Sequence, residues 1–218
     1  MSDPHQHETW FGKEQAKACV EGLKRSGFTA YYADNREEAV QTVLDQVPPS
    51  ASVGIGGSVT VRELGLPQSL RQAGHTVYDH WDTSLDTEGR ERARDSQVLA
   101  DVFLSSSNAV TQQGALVNVD GTGNRVAAMI FGPKTTILVV GYNKIVSGIP
   151  EAQERIRQYV APVNYRRLNM NTPCQKGDCC SECGQSGPKA CKVTTIIEAP
   201  PSGKKKFVVI VVGERLGY

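Results

Sequence analysis

The run Asn108-Ala-Val-Thr111-Gln-Gln-Gly114-Ala-Leu-Val-Asn118-Val-Asp120-Gly-Thr-Gly123-Asn124-Arg125-Val-Ala-Ala-Met-Ile-Phe131-Gly-Pro-Lys134 decides how this chain is read. Two apolar segments, Ala115 to Val119 and Val126 to Phe131, flank Asp120-Gly-Thr-Gly123, a turn whose residues accept positive φ. Apolar runs on either side of such a turn predict a β-hairpin. Asn108, Thr111, Asn118, Asp120, Asn124 and Arg125 fall at the edges of these segments. Singly, each Asn or Asp is explained as a turn former. As a set, amides and a guanidinium can converge on a small anionic or carbonyl-bearing ligand.

Outward from this run the chain alternates helix and strand. Lys13 to Ser26 has helical apolar spacing and ends at Gly27; Phe28 to Ala33 reads as a strand; Asp34 or Asn35 caps a helix that Pro48-Pro49 stops. Ser52 to Ile55 is a second strand. It leads into Gly56-Gly57-Ser58, with Ser58 as N-cap for Val59 to Leu64 and Thr60 in the first turn. Strand, glycine turn and helix start make a physically sensible place for a phosphate or carboxylate. A short helix, Gln68 to Gly74, and a strand, His75 to Tyr78, precede the loop Asp79-His80-Trp81-Asp82-Thr83, where His80 reads as a general base, a metal ligand or a plain hydrogen-bonded side chain. Asp86 to Ala100 is an Arg-rich helix whose charges read as a solvated face.

Asp101 to Leu104 is the next strand, and Thr136 to Val140, apolar and β-branched, reads as a strand buried on both faces of a parallel sheet. Helical segments follow from Pro150, interrupted at Pro162. Val193 to Ile197 and Phe207 to Val212 close the chain as strands, joined by Pro200-Pro-Ser-Gly-Lys-Lys-Lys206, a basic turn expected to blunt an edge. Repeated βα units predict an α/β fold: an open, mostly parallel sheet with helices on both faces, one antiparallel hairpin and a C-terminal Cys-rich loop. Ligands in such sheets bind beyond the carboxyl ends of the strands, where Gly56 to Thr60 and Asn108 to Thr111 both fall.

At 218 residues the chain is expected to form one domain, 1–218, with an N-terminal helical and βα part over 1–50 and the Cys-rich loop, 172–192, inserted before the last two strands. A formal net charge of +1 recommends neither nucleic acid nor an anionic membrane as partner. The polar start, Met1 to Trp10, resembles no signal peptide, and no apolar run is long enough to span a bilayer, so a cytoplasmic protein is expected.

Five of the six cysteines lie between Cys174 and Cys191, a local cluster and not a secreted disulfide framework. Cys180-Ser-Glu-Cys183 is a C-x-x-C pair flanked by Cys174 and Cys191, with Cys179 spare. Four thiolates suit tetrahedral zinc or an iron–sulfur cluster; reduced thiols or local disulfides are the competing reading.

The run from Asn108 to Lys134, together with Gly56-Gly57-Ser58-Val-Thr60, Glu63-Leu-Gly65, Gly141-Tyr-Asn143-Lys144 and the ending Val-Val-Gly213-Glu214-Arg-Leu-Gly217-Tyr218, resembles the lactate-utilisation (LUD) domain family, the group that includes lactate utilisation protein C. The resemblance covers most of the chain from about residue 50 onward. It implies a fold similar to ribose-5-phosphate isomerases, glucosamine-phosphate deaminases and CoA transferases. It also implies a link to oxidation of lactate to pyruvate with iron–sulfur oxidoreductase subunits, and so iron–sulfur ahead of zinc at Cys174, Cys180, Cys183 and Cys191. Asn108 stands where those fold relatives often carry an acidic residue, and an amide is no general base. A small anionic metabolite is the expected ligand, held by Gly56, Gly57, Ser58, Thr60, Asn108, Thr111, Asn118, Asp120, Asn124, Arg125 and Lys144. The alternatives are a phosphosugar or CoA-ester enzyme using Glu63 or Asp120, and a non-catalytic assembly subunit.

Overall fold

A computed structural model describes residues 6–177, 180, 183 and 189–218. In chain order the elements are α1 (Gln6–Arg25), β1 (Thr29–Ala33), α2 (Arg36–Gln46), β2 (Val53–Ile55), α3 (Val59–Glu63), α4 (Leu66–Gln72), β3 (Val77–Asp79), α5 (Thr87–Leu99), β4 (Val102–Ser105), β5 (Ala109–Thr111), β6 (Leu116–Asp120), α6 (Asn124–Ile130), β7 (Thr135–Gly141), β8 (Ile145–Val146), α7 (Ile149–Arg155), α8 (Ala161–Arg167), β9 (Val193–Ile197) and β10 (Lys206–Val212). Among these residues no helix is long and apolar enough to cross a membrane.

Six strands form an all-parallel sheet in the order β1-β10-β7-β4-β2-β3. Its longest strands, β7 and β10, are neighbours inside it, and successive residues of each pack on opposite faces as the strand period requires. Ile137, Val139, Val208, Ile210 and Val212 join Ala39, Val43 and Leu66 on one face; Leu138, Val140, Val209 and Val211 join Ala16, Leu23 and Met129 on the other. Helices therefore cover both faces, α2 and α4 on the first, α1 and α6 on the second.

The second face also carries a four-stranded sheet, β8-β5-β6-β9, which the sequence did not announce. Its nucleus is the antiparallel pair β5 and β6, joined across Gln112–Ala115 and flanked by β8 and β9. Val110, Leu116 and Ile197 face the main sheet, while Ala109 and Val117 meet Ala152 and Ile156 on the far side.

Three expectations are corrected. The hairpin exists, but one step earlier than its strongest turn signal: Val126 to Ile130 is helical, in α6, not the second hairpin strand. Gly123 enters α6 at φ 91°, and Asp120 Oδ2 accepts from Val126 N at 3.0 Å, so the Asp-Gly-Thr-Gly segment starts a helix. The basic turn is solvated at Ser202, Gly203 and Lys205, but it leads into β10, which lies inside the main sheet, and Lys204 Nζ donates to Ala128 O and Pro133 O, both at 2.7 Å, which satisfies carbonyls in and just after α6. At Pro162 the helix continues, because a π turn over Ile156–Val160 precedes α8 and absorbs the missing N–H.

The α1 backbone touches the β5–β6 turn at Gly22, where a Cβ would run into Gln112 O, and at Gly114 (φ 98°), where a Cβ would lie 2.6 Å from Gly22 O. Helix propensity alone would make Gly22→Ala stabilising by about 1 kcal/mol. The collision is with backbone on both sides, so the substitution is expected instead to destabilise by roughly 1–3 kcal/mol, read as a lowered urea midpoint; an unchanged or raised midpoint would show that α1 and the turn are not in contact.

Candidate functional site

The carboxyl ends of five parallel strands open onto one cleft of about 680 Å³. β2 delivers Gly57 and Ser58, β3 His80 and Trp81, β4 Ser106 to Asn108, β7 Lys144, and β10 the tail that ends in Tyr218; α8 and the segment Lys189–Lys192 complete the walls.

Arg125, buried at 8% exposure, organises the floor. Its Nη1 donates to Ser106 O (3.0 Å) and Asn118 Oδ1 (2.6 Å); its Nη2 donates to Asn108 Oδ1 (2.9 Å), Val119 O (3.1 Å) and Asp120 Oδ1 (2.6 Å). Asn108 and Asn118 also bridge the strand pair, since Asn108 N donates to Asn118 Oδ1 and Val119 N to Asn108 Oδ1. The terminal nitrogens of the guanidinium are thus committed to protein acceptors. The residues expected to hold the ligand hold one another.

Lys144 is the other buried cation of the floor, 4% exposed. Its Nζ donates to Thr60 Oγ1 (2.8 Å) and Ser106 Oγ (3.0 Å), hydroxyls and not carboxylates. Burial first, then the positive charges of Arg155 and Arg125, push its pKa down to about 7, with Glu63 opposing weakly. The tail closes behind it: Gly217 at φ 55° passes so near that a Cβ would lie 2.6 Å from Thr60 Oγ1, and Gly217 N donates to Glu63 Oε2 at 2.7 Å.

Trp81 lies against Gly57, where a Cβ would approach it to 3.0 Å, with the guanidinium of Arg167 4.4 Å and that of Arg62 5.1 Å from its ring. Arg62 is in turn held by both carboxylate oxygens of buried Asp79. His80 Nδ1 is 2.6 Å from Gln97 Nε2; with the amide nitrogen as donor, the ring proton sits on Nε2. Burial and then Arg94 lower the His80 pKa, so the ring is neutral at physiological pH. Around the rim stand Arg90, Arg94, Arg167, Lys189 and Lys192, with Arg94 half-buried and the rest exposed.

Of the residues expected at a ligand site, Gly57, Ser58, Asn108, Asp120, Asn124, Arg125 and Lys144 line this cleft, and Thr60 reaches it through Lys144. Gly56 packs under Phe103 and Ser105, Asn118 is fully buried, and Thr111 lies elsewhere, its Oγ1 accepting from Ala115 N in the hairpin turn. Sequence reasoning did not single out Trp81, Ser106, Tyr165, Arg167 or the α5 arginines for the cleft. Only Ser106, one residue past a buried strand, carried a local signal.

In the Cys loop, Cys174 is buried, with its Sγ 3.4 Å from Thr172 Oγ1, and Cys191 Sγ lies 3.3 Å from the Tyr165 hydroxyl. Burial, then the thiols of Cys191 and Cys174, raise the Cys180 pKa; burial, then Cys174 and Cys183, raise that of Cys191. Four thiols within electrostatic reach of one another are chemically suited to a thiophilic metal. Among the described residues, however, no three Cys, His, Asp or Glu side chains are drawn together as a metal site. Cys179 lies outside the described residues.

Replacing Arg125 by Met strands Asp120 and the two Asn oxygens, so a loss of about 3–5 kcal/mol is expected, recovered little by Arg125→Lys because an ammonium cannot span five acceptors. Guanidinium unfolding of the three proteins checks this; equal stabilities would remove Arg125 from its structural role.

Residues 16–212 match the family model described as the LUD domain. No curated protein matches the chain. Among solved structures, a DUF162 family protein from Deinococcus radiodurans is similar in fold, with a TM-score of 0.54 at 15% identity over 92% of this chain and 98% of that one. With the match running through both sheets and the strand ends that build the cleft, the chain belongs to the LUD domain family.

Proposed function

We propose that this LUD-domain protein acts in cytoplasmic organic-acid metabolism, linked to oxidation of lactate to pyruvate alongside iron–sulfur oxidoreductase subunits, and that its cleft binds the small anionic metabolite. The observation that carries the reading is the charge of the cleft. Among the described residues, seven Arg and Lys side chains and one carboxylate side chain line it, on a chain whose net charge is only +1, and that carboxylate, Asp120, is paired with Arg125. Gly57, Ser58, Asn108 and Asn124 add polar groups to the same lining, and His80 adds a neutral ring. Rim guanidiniums take the carboxylate; the floor takes the carbonyl or hydroxyl.

Calorimetry with lactate, pyruvate and a sugar phosphate tests this. Saturable heat with a hydroxy or oxo acid is expected, weakened roughly tenfold or more by Arg94→Ala or Arg167→Ala, the cost of one charge-assisted hydrogen bond. Absence of heat with all three ligands sinks the reading. The size of the cleft and its five rim cations favour a second reading, a phosphosugar or CoA-ester ligand, which heat with the sugar phosphate alone would select. Turnover through Glu63 or Asp120 is a weak form of that reading, because Gly217 N occupies Glu63 Oε2 and Arg125 occupies Asp120.

The loop thiols Cys174, Cys180, Cys183 and Cys191 are the proposed ligands of an iron–sulfur cluster or zinc, which would require the loop to draw them together. Thr172, Lys189, Ala190 and Lys192 of the same segment line the cleft, so ordering this loop would also fix one cleft wall. Anaerobic purification should yield brown protein, or stoichiometric zinc; colourless metal-free protein with freely alkylated thiols rejects the metal.

A further inference from the structure

We propose that Lys144 is a nucleophilic amine that captures the carbonyl carbon of a 2-oxo acid in the cleft as a reversible imine. The inference rests on the reading of the cleft as an organic-acid site and adds a covalent step to it. A lysine buried for structural reasons is expected to pair with a carboxylate, as Arg125 pairs with Asp120. Lys144 instead bonds to two hydroxyls. The Thr60 hydroxyl proton is directed at Leu216 O (3.4 Å) and that of Ser106 at Ser107 O (3.3 Å), so each oxygen is left to accept from Nζ. A neutral amine has two N–H bonds and one lone pair. With both N–H bonds spoken for, the lone pair is left for the cleft that Lys144 lines.

The charged groups around Lys144 favour the neutral form. Arg155 of α7 and Arg125 of α6 both oppose a proton on Nζ; Glu63 of α3 favours one, but its Oε2 is already engaged by Gly217 N. Burial acts in the same direction as the arginines and brings the amine to half-protonation at about pH 7. The step balances without an external oxidant or reductant. Nζ attacks the carbonyl carbon, the C–O π pair moves to oxygen, and the two amine hydrogens leave with that oxygen as water when the C=N bond forms. Hydrolysis returns lysine and oxo acid.

Reductive trapping tests the proposal, with pyruvate and 2-oxoglutarate as probes and sodium borohydride supplying hydride to the imine carbon. The expected result is one reduced ligand per chain, mapped to the peptide containing Lys144, and none with lactate, which has no carbonyl. The trapping rate should rise with pH through about 7 and level off, as the unprotonated fraction of Lys144 does, whereas surface lysines react increasingly toward about pH 10.4. Lys144→Arg should abolish the adduct. Should that variant not fold, Ser106→Ala keeps the amine and removes one acceptor, and should slow trapping by about tenfold. Saturable heat from an oxo acid with no adduct on Lys144 at any pH overturns the imine and leaves the organic-acid site standing. Neither heat nor adduct overturns both. An adduct spread over surface lysines, or undiminished in Lys144→Arg, also overturns it.

Discussion

A buried guanidinium holds this site together. Moving Arg125 out of water costs several kcal/mol, which only a full set of well-placed acceptors can offset. It finds them on three pieces of chain, Ser106 after β4, Asn108 before β5 and Asn118 to Asp120 at the end of β6, and so ties all three to the start of α6, to which Arg125 itself belongs. β5 and β6 pair directly through only Ala109–Val117 and Val110–Leu116, too few ladder bonds to set a strand exit firmly. The guanidinium supplies the missing restraint. Because Ser106 is one of its partners and also holds Lys144 Nζ, the position of the floor amine follows from the Arg125 network.

Much of the fold was legible because the central strands are written in one kind of residue. Thr136 to Val140 and Phe207 to Val212 are β-branched or aromatic almost throughout, which suits a strand covered on both faces and little else. The helix at Asn124–Ile130 was not legible, since a Gly-Thr-Gly turn with apolar segments on either side signals a hairpin as strongly as a helix start. What settles it is non-local to the pattern: Asp120 turns back to cap Val126 N while pairing with Arg125. The second sheet was hidden for a similar reason. β8 is two residues long, and β9 follows a segment with no apolar period, so their pairing with the hairpin depends on contacts far apart in sequence.

The candidate site divides the same way. Asn108, Asp120, Asn124 and Arg125 stand out as a polar set within twenty residues of sequence, and they do meet, but mostly as one another's partners. The rim was not legible. In α5 the alternation of Glu and Arg describes a solvated helix, and nothing in that pattern says that Arg90 and Arg94 turn toward a cleft while Arg92 pairs with Glu88 at the surface. Trp81 likewise gains its place from Gly57 and two distant guanidiniums.

Two kinds of cation in one cleft do different physical work. The exposed rim charges act through solvent, where each is weak but their sum draws in an anion and fades with added salt. At the floor, burial first, and then Arg155 and Arg125 acting through protein, lower the pKa of Lys144 to about 7. A carboxylate resting directly beside Nζ would undo this, since a neighbouring negative charge favours the ammonium. In the proposed function, the rim prevents that by taking the carboxylate itself, leaving the carbonyl end of the same molecule to face an amine whose pKa stays low. Separation of the guanidiniums that bind charge from the amine that meets carbon is therefore what lets one positively charged cleft both attract an oxo acid and keep a nucleophile able to react with it.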